Sequence, residues 1–130
     1  NLTVPFLTIV LRKGYGLGAQ AMAGGSFKAP LFCVAWPTGE FGGMGLEGAV
    51  RLGYRRELEA VEEGPERDRL FDQLVARSYE QGKALNTATF FEIDDVIDPA
   101  DSRRWISTLL AAAPPPLPRE GKKRPNIDSW

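Results

Sequence analysis

The segment Arg12-Lys13-Gly14-Tyr15-Gly16-Leu17-Gly18-Ala19 constrains this chain more than any other. Three glycines at alternate positions permit positive φ and keep side chains out of the way. Before it, the apolar run Val4-Pro5-Phe6-Leu7-Thr8-Ile9-Val10-Leu11 reads as a buried strand. After it, Gly18-Ala19-Gln20-Ala21-Met22-Ala23 reads as the start of a helix. A strand, a glycine turn and a helix start aim backbone N–H groups at a negatively charged oxygen. That oxygen is a bound phosphate or a developing oxyanion. The remaining reading is a tight turn with close helix–strand packing and no ligand.

Composition narrows the chemistry. The chain has 130 residues, enough for one core or for part of a larger domain. It contains no histidine, which removes Ser-His-Asp and Cys-His nucleophilic systems and His-based zinc sites. A single cysteine, Cys33, excludes an internal disulfide and a thiolate metal cluster, and no metal site is expected. Cys33 sits in Leu31-Phe32-Cys33-Val34-Ala35-Trp36, a continuous apolar run suited to a strand buried on both faces, where the thiol is inert. Net charge is -1, so no broad nucleic-acid footprint is expected. The longest apolar runs are too short to span a bilayer. The start lacks Met and a basic-then-apolar leader, so the chain reads as a fragment or a processed product without a secretory signal.

The glycines cluster between Gly14 and Gly53, ahead of a charged helical part. Gly24-Gly25 suit the end of the first helix. Glu40-Phe41-Gly42-Gly43-Met44-Gly45 is expected to be irregular, and a short helix to run from Leu46 to about Tyr54. Pro65 and Gly82 bound a longer helix whose Leu70, Phe71, Leu74, Val75 and Ser78 form one stripe of core or subunit interface. Asp98-Pro99-Ala100-Asp101 caps a last helix with Trp105, Ile106, Leu109 and Leu110 on its apolar face. Pro114-Pro115-Pro116 stops it, leaving an extended basic tail. Asp94, Asp95 and Asp98 read as cap and surface charge, and Glu40 and Glu47 as solvated charge rather than acid or base.

Gly14, Gly16 and Ala19 also match G-x-G-x-x-A formally, with Glu40 about twenty residues on as a ribose-binding acid. The context is poor. The helix is short, and Glu40 follows Pro37-Thr38-Gly39 instead of ending a strand. No Gly-Lys-Ser/Thr follows, which excludes a Walker phosphate loop.

Four blocks, in order, resemble the carboxyltransferase component (beta-type) of biotin-dependent acyl-CoA carboxylases. They are Val4-Pro5 with Arg12 to Ala19 and Met22; Ala35 to Glu40 with Met44 to Val50; Asp94 to Pro99 with Ser102-Arg103; and Lys122 to Ile127. The resemblance displaces the dinucleotide reading. It implies an α/β, crotonase-like (ClpP/crotonase) superhelix of ββα units. Residues 1–113 would be the second half of the C-terminal crotonase-like domain, with 114–130 its tail. In this family two crotonase-like domains share an active site between subunits, the C-terminal one receiving carboxybiotin and the N-terminal one the acyl-CoA.

The resemblance implies that the amides of Gly18 and Ala19 form the oxyanion hole, holding charge on the biotin ureido oxygen as CO2 is released. Losing one such donor typically costs about 2.7–4 kcal/mol. It places Tyr15, Gly16, Gly42, Gly43 and Met44 at biotin, beside the plainer readings of Tyr15 as packing and of Met44 as part of a tight loop. Leu17 is inserted relative to the Tyr-Gly-Gly-Ala that many members carry. Ala21 falls where the family lines its acyl pocket, and a small apolar residue there suits a medium or long acyl chain. The implied partners are an acyl-CoA, a biotin carboxyl carrier, a biotin carboxylase and further carboxyltransferase subunits. The implied setting is cytoplasmic fatty acid metabolism, with the enzyme a ligase component. The fragment alone is expected to be inactive. Two other readings stand beside this one: another crotonase-like acyl-CoA enzyme (hydratase or decarboxylase), or a non-catalytic module for assembly or carrier docking.

Overall fold

The computed structural model describes residues 4–115. Two small parallel sheets organise the chain. Strands β1 (Thr8–Val10), β3 (Cys33–Ala35) and β5 (Asp95–Val96) form one sheet in the order β1-β3-β5, while β2 (Lys13–Tyr15) pairs with β4 (Glu40–Gly42) in a second. The helices are α1 (Gly16–Met22), α2 (Leu46–Gly53), α3 (Arg55–Glu59), α4 (Pro65–Gln81), α5 (Ala84–Thr89) and, after the last strand, α6 (Ser102–Ala112).

The expected strand at Val4–Leu11 is narrower than its apolar run. The regular ladder covers Thr8–Val10, extended by Leu31 N–H to the Phe6 carbonyl at 2.7 Å. The chain then bends at Arg12 and enters the second sheet, so Lys13–Tyr15 is a strand and not part of a glycine turn. The expectation of irregular backbone over Glu40–Gly45 also fails for its first three residues. A parallel partner, β2, supplies the hydrogen bonds that sequence alone could not supply, in the register Lys13–Glu40, Gly14–Phe41 and Tyr15–Gly42. Only Gly43–Gly45 lie between β4 and α2 outside any regular element.

The core follows the two faces of β3. Cys33 and Ala35 point one way, into a cluster with Phe41, Ala84 and Ile93. Phe32 and Val34 point the other way and pack with Ile97 against Trp105, Ile106 and Leu109 of α6. Phe32 to Ala35 are all buried, as a two-sided strand requires. Burial pushes the Cys33 thiol up to about 11, with a smaller contribution from Asp94, against which Lys28 acts weakly. Leu110, placed by periodicity on the apolar face of α6, is half exposed.

Local signals set the helix ends. Gly24 and Gly25, at φ +82° and +106°, terminate α1, and Gly25 N–H reaches the Gln20 carbonyl at 2.7 Å. Pro65 occupies the first turn of α4, which runs to Gly82 as its spacing predicts. The stripe Leu70, Phe71, Leu74, Val75 and Ser78 is half-buried, and α4 packs mainly on α2. Asp98 caps a 3-10 turn, Pro99–Asp101, through the Ala100 N–H at 2.8 Å, ahead of α6. The last helix ends at Ala112, before Pro114. The expected basic tail beyond Pro115, with the block Lys122–Ile127, lies outside the described residues. No described helix is long and apolar enough to cross a membrane.

Candidate functional site

The β2–β4 ladder brings two glycine segments of the sequence together. Tyr15 is opposite Gly42, and the turn into α1 lies against the turn out of β4. The contact is close: a methyl group on Gly16 would stand 2.8 Å from the Gly43 carbonyl oxygen. Gly16 also adopts φ +61°, a conformation that glycine alone takes without cost. A methyl on Gly42 would meet Leu46 Cδ2 at 2.8 Å and Tyr15 Cδ1 at 3.6 Å. Tyr15, Gly16, Gly42 and Gly43 thus adjoin one another, with Met44 next in the chain and partly exposed.

Helix α1 starts at Gly16, two residues ahead of the expected Gly18. Because Gly16 has positive φ, its right-handed turns begin after it. No side chain caps this end, and its first turn carries no acidic residue; with Tyr15 as the N-cap, the amides of Gly16, Leu17 and Gly18 have no intrahelical acceptor, whereas the Ala19 N–H falls four residues after Tyr15, where the helix ladder begins. Gly18 is exposed and has no atom within 4 Å of where its Cβ would be. Packing therefore gives no reason for glycine there.

A cleft of about 810 Å³ runs between β1 and α1. Gly18, Ala19 and Met22 of α1 line it, together with Phe6, Ile9 and Phe27. Tyr15 and Lys13 also border it. Ala21 is exposed on α1 and is not among the residues that line this cleft; nor are Gly42, Gly43 and Met44, which lie across Gly16 from it.

Hydrogen bonds tie the site to its surroundings. Tyr15 Oη donates to Glu40 Oε2 at 2.9 Å, and Tyr79 Oη donates to Glu47 Oε1 at 2.7 Å. Burial first, then the bond to Glu40, push the Tyr15 hydroxyl well above the ordinary tyrosine range, so it stays protonated. The Tyr79 hydroxyl bond holds the Glu47 carboxyl below the usual carboxylate range, so it stays ionised. Glu40 is half-buried and bonded, and reading it as solvated charge misses this role. Tyr79 carried no signal in the sequence, because its partner lies 32 residues away on another helix.

Residues 1–120 match the family described as the carboxyl transferase domain. The chain is 39% identical over 113 residues to the methylmalonyl-CoA carboxyltransferase 12S subunit of Propionibacterium freudenreichii subsp. shermanii, covering 83% of this chain and 20% of that protein. It is 37% identical over 127 residues to the propionyl-CoA carboxylase carboxyltransferase subunit of Haloferax mediterranei, covering 96% and 24%. Among solved structures, a single-chain, multi-domain long-chain acyl-CoA carboxylase shares 67% identity at TM-score 0.70, over 83% of this chain and 10% of that one. The transcarboxylase 12S hexamer, with methylmalonyl-CoA bound, shares 32% identity at TM-score 0.75, over 95% and 24%. The chain therefore spans a quarter or less of the relatives it matches.

Proposed function

Since the chain belongs to the carboxyl transferase domain family, we propose that the whole protein moves a carboxyl group from biotin to the α-carbon of an acyl-CoA. Its fold is the α/β, crotonase-like fold of that family, of which this chain is a part. Residues 1–113 are read as the second half of the C-terminal crotonase-like domain, completed by chain that this sequence does not contain.

The observation that carries the reading is the head of α1. An uncapped first turn with open space at Gly18 stands beside the paired glycine segments. Biotin, when bound, supplies the carboxyl group that is moved. The residues present fit it: open space at Gly18 and Gly43 leaves room for a flat ring to approach backbone closely. Tyr15, Gly16, Gly42, Gly43 and Met44 would hold it. Of the pair Gly18 and Ala19, the Gly18 amide is the one free of an intrahelical acceptor and the main donor to negative charge on an oxygen at the helix head, with Ala19 N–H beside it at the start of the ladder. Tyr15, kept protonated, serves as a neutral wall and donates to Glu40.

The 67% identity to a structure described as a long-chain acyl-CoA carboxylase supports a medium or long acyl-CoA as substrate, and the small, exposed Ala21 leaves room for such a chain on the side of α1 away from the cleft's lining residues. A biotin carboxyl carrier, a biotin carboxylase and further carboxyltransferase subunits are the corresponding partners, with the site between subunits and the enzyme in the cytoplasm, serving fatty acid metabolism as a ligase.

The test is biotin-dependent removal of the carboxyl group from malonyl-type CoA thioesters by the full-length protein, with acyl length varied. Activity with free biotin that rises from acetyl- to longer acyl-derived thioesters is expected. Absence of biotin dependence overturns the reaction, and a strong preference for the acetyl-derived thioester overturns the chain-length reading.

A further inference from the structure

The loop between β4 and α2 has little of its own to hold it. A methyl group placed on Gly43 or on Gly45 would find no atom within 4 Å, and Met44 is partly exposed. Glycine backbone is soft, yet this loop abuts the head of α1, with the Gly43 carbonyl against Gly16. The buried Phe41 and Leu46 anchor its ends, and contacts of the flanking elements bear on where its middle sits.

Two contacts flank it. Upstream, Glu40 opens β4 and accepts the Tyr15 hydroxyl at 2.9 Å. Downstream, Glu47 lies in the first turn of α2 and accepts the Tyr79 hydroxyl at 2.7 Å. The donors come from different elements, the end of β2 and the last turns of α4. Both bonds run from a neutral hydroxyl to a carboxylate; Tyr79–Glu47, at 2.7 Å, has the short length of a charge-assisted pair, and Tyr15–Glu40, at 2.9 Å, has an ordinary hydrogen-bond length. Their surroundings overlap: Glu47 and Tyr79 add to the upward push on Tyr15, and Lys13 helps to keep Glu47 ionised.

We infer that Tyr15–Glu40 and Tyr79–Glu47 act as a two-ended clamp, positioning residues that hold the Gly42–Gly45 loop against Gly16 and so fix the width of the biotin slot. The inference rests on the carboxyltransferase reading. Tyr79 and Glu47 are its new members. Neither lines the cleft beside α1, and they act through the backbone of the loop.

Steady-state kinetics of the full-length protein test this, with free biotin and the CoA thioester varied separately. Tyr79→Phe and Glu47→Ala each raise KM for biotin about fivefold, the size expected for one ordinary hydrogen bond lost at an exposed position. KM for the thioester stays at the wild-type value. Glu47→Gln keeps an acceptor and recovers most of the loss. The double variant Tyr79→Phe/Glu47→Ala is no worse than either single change, because both remove the same bond. The clamp is overturned if the two KM values rise together with a fall in thermal stability, or if stability falls while KM for biotin stays fixed. A wild-type protein with no biotin-dependent turnover instead overturns the carboxyltransferase reading, and the clamp with it. The two failures are thus told apart by the wild-type assay.

Discussion

Replacing Gly18 by alanine separates the two reasons a glycine can stand in the first turn of α1. If the residue served packing or backbone conformation, a methyl group would clash or be strained. It meets nothing within 4 Å, and Gly18 is not among the glycines with positive φ. Alanine is favoured over glycine in a helix by about 0.5–1 kcal/mol. Gly18→Ala should therefore leave the protein as stable or stabilise it by about that amount, a rise in Tm of about 1 °C or less at the length of the relatives, of which this chain spans a quarter or less. Activity should move the other way. The new methyl stands at the amides proposed to hold the oxyanion, where deleting one donor lowers kcat by about a hundredfold or more. Partial obstruction should cost at least about tenfold. Gly16→Ala is the contrast: its φ of +61° costs about 1–2 kcal/mol for a residue with a Cβ, and the methyl lies 2.8 Å from the Gly43 carbonyl. It should lose stability and activity together. The measurements are thermal unfolding and biotin-dependent decarboxylation of the full-length protein. A Gly18→Ala protein with wild-type turnover and unchanged or higher Tm would refute the reasoning, because no approaching ligand would then require the glycine.

Other perturbations follow from single contacts. Gly82→Ala puts a methyl 2.5 Å from the Phe41 carbonyl oxygen and strains the junction where Phe41 N–H bonds Gly82. It should destabilise by about 1–3 kcal/mol, the usual range for overpacking, measured by denaturant unfolding. Phe91 adopts φ +59° while largely exposed, so Phe91→Gly should gain about 1 kcal/mol of stability, whereas Phe91→Ala should gain nothing. Glu47 has a lowered folded value, so the unfolded chain binds its proton more readily. Its contribution to stability is present above the ordinary carboxylate value and is lost as pH falls through the folded one. Tyr79→Phe removes the first cause of that lowering, and the acid limb of the Tm-against-pH curve should flatten relative to wild type.

How far the sequence could be read depended on whether a residue's partner was near it in the chain. Pro65, Gly82, Asp98 and the Gly24-Gly25 pair act on backbone within a turn of themselves, and each stands where its local chemistry puts it. The run from Phe32 to Ala35 is apolar without alternation, which suffices to announce a strand covered on both faces. The glycine segment misled for the opposite reason. Gly14 looks like turn chemistry, but it lies in β2, paired with Phe41 across the ladder, and a methyl group there would stand 3.2 Å from the Val10 side chain and 3.5 Å from the Phe41 ring. Phe41 is 27 positions away, and no local pattern records it. The same holds for Glu40, whose role is set by Tyr15 across the ladder, and for Glu47, set by Tyr79 on α4. Periodicity reports faces, and caps report ends, but neither reports which strand a glycine-rich segment will pair with. The two glycine segments were separately visible. Their adjacency, on which the proposed site depends, follows from the β2–β4 register, which no local pattern records.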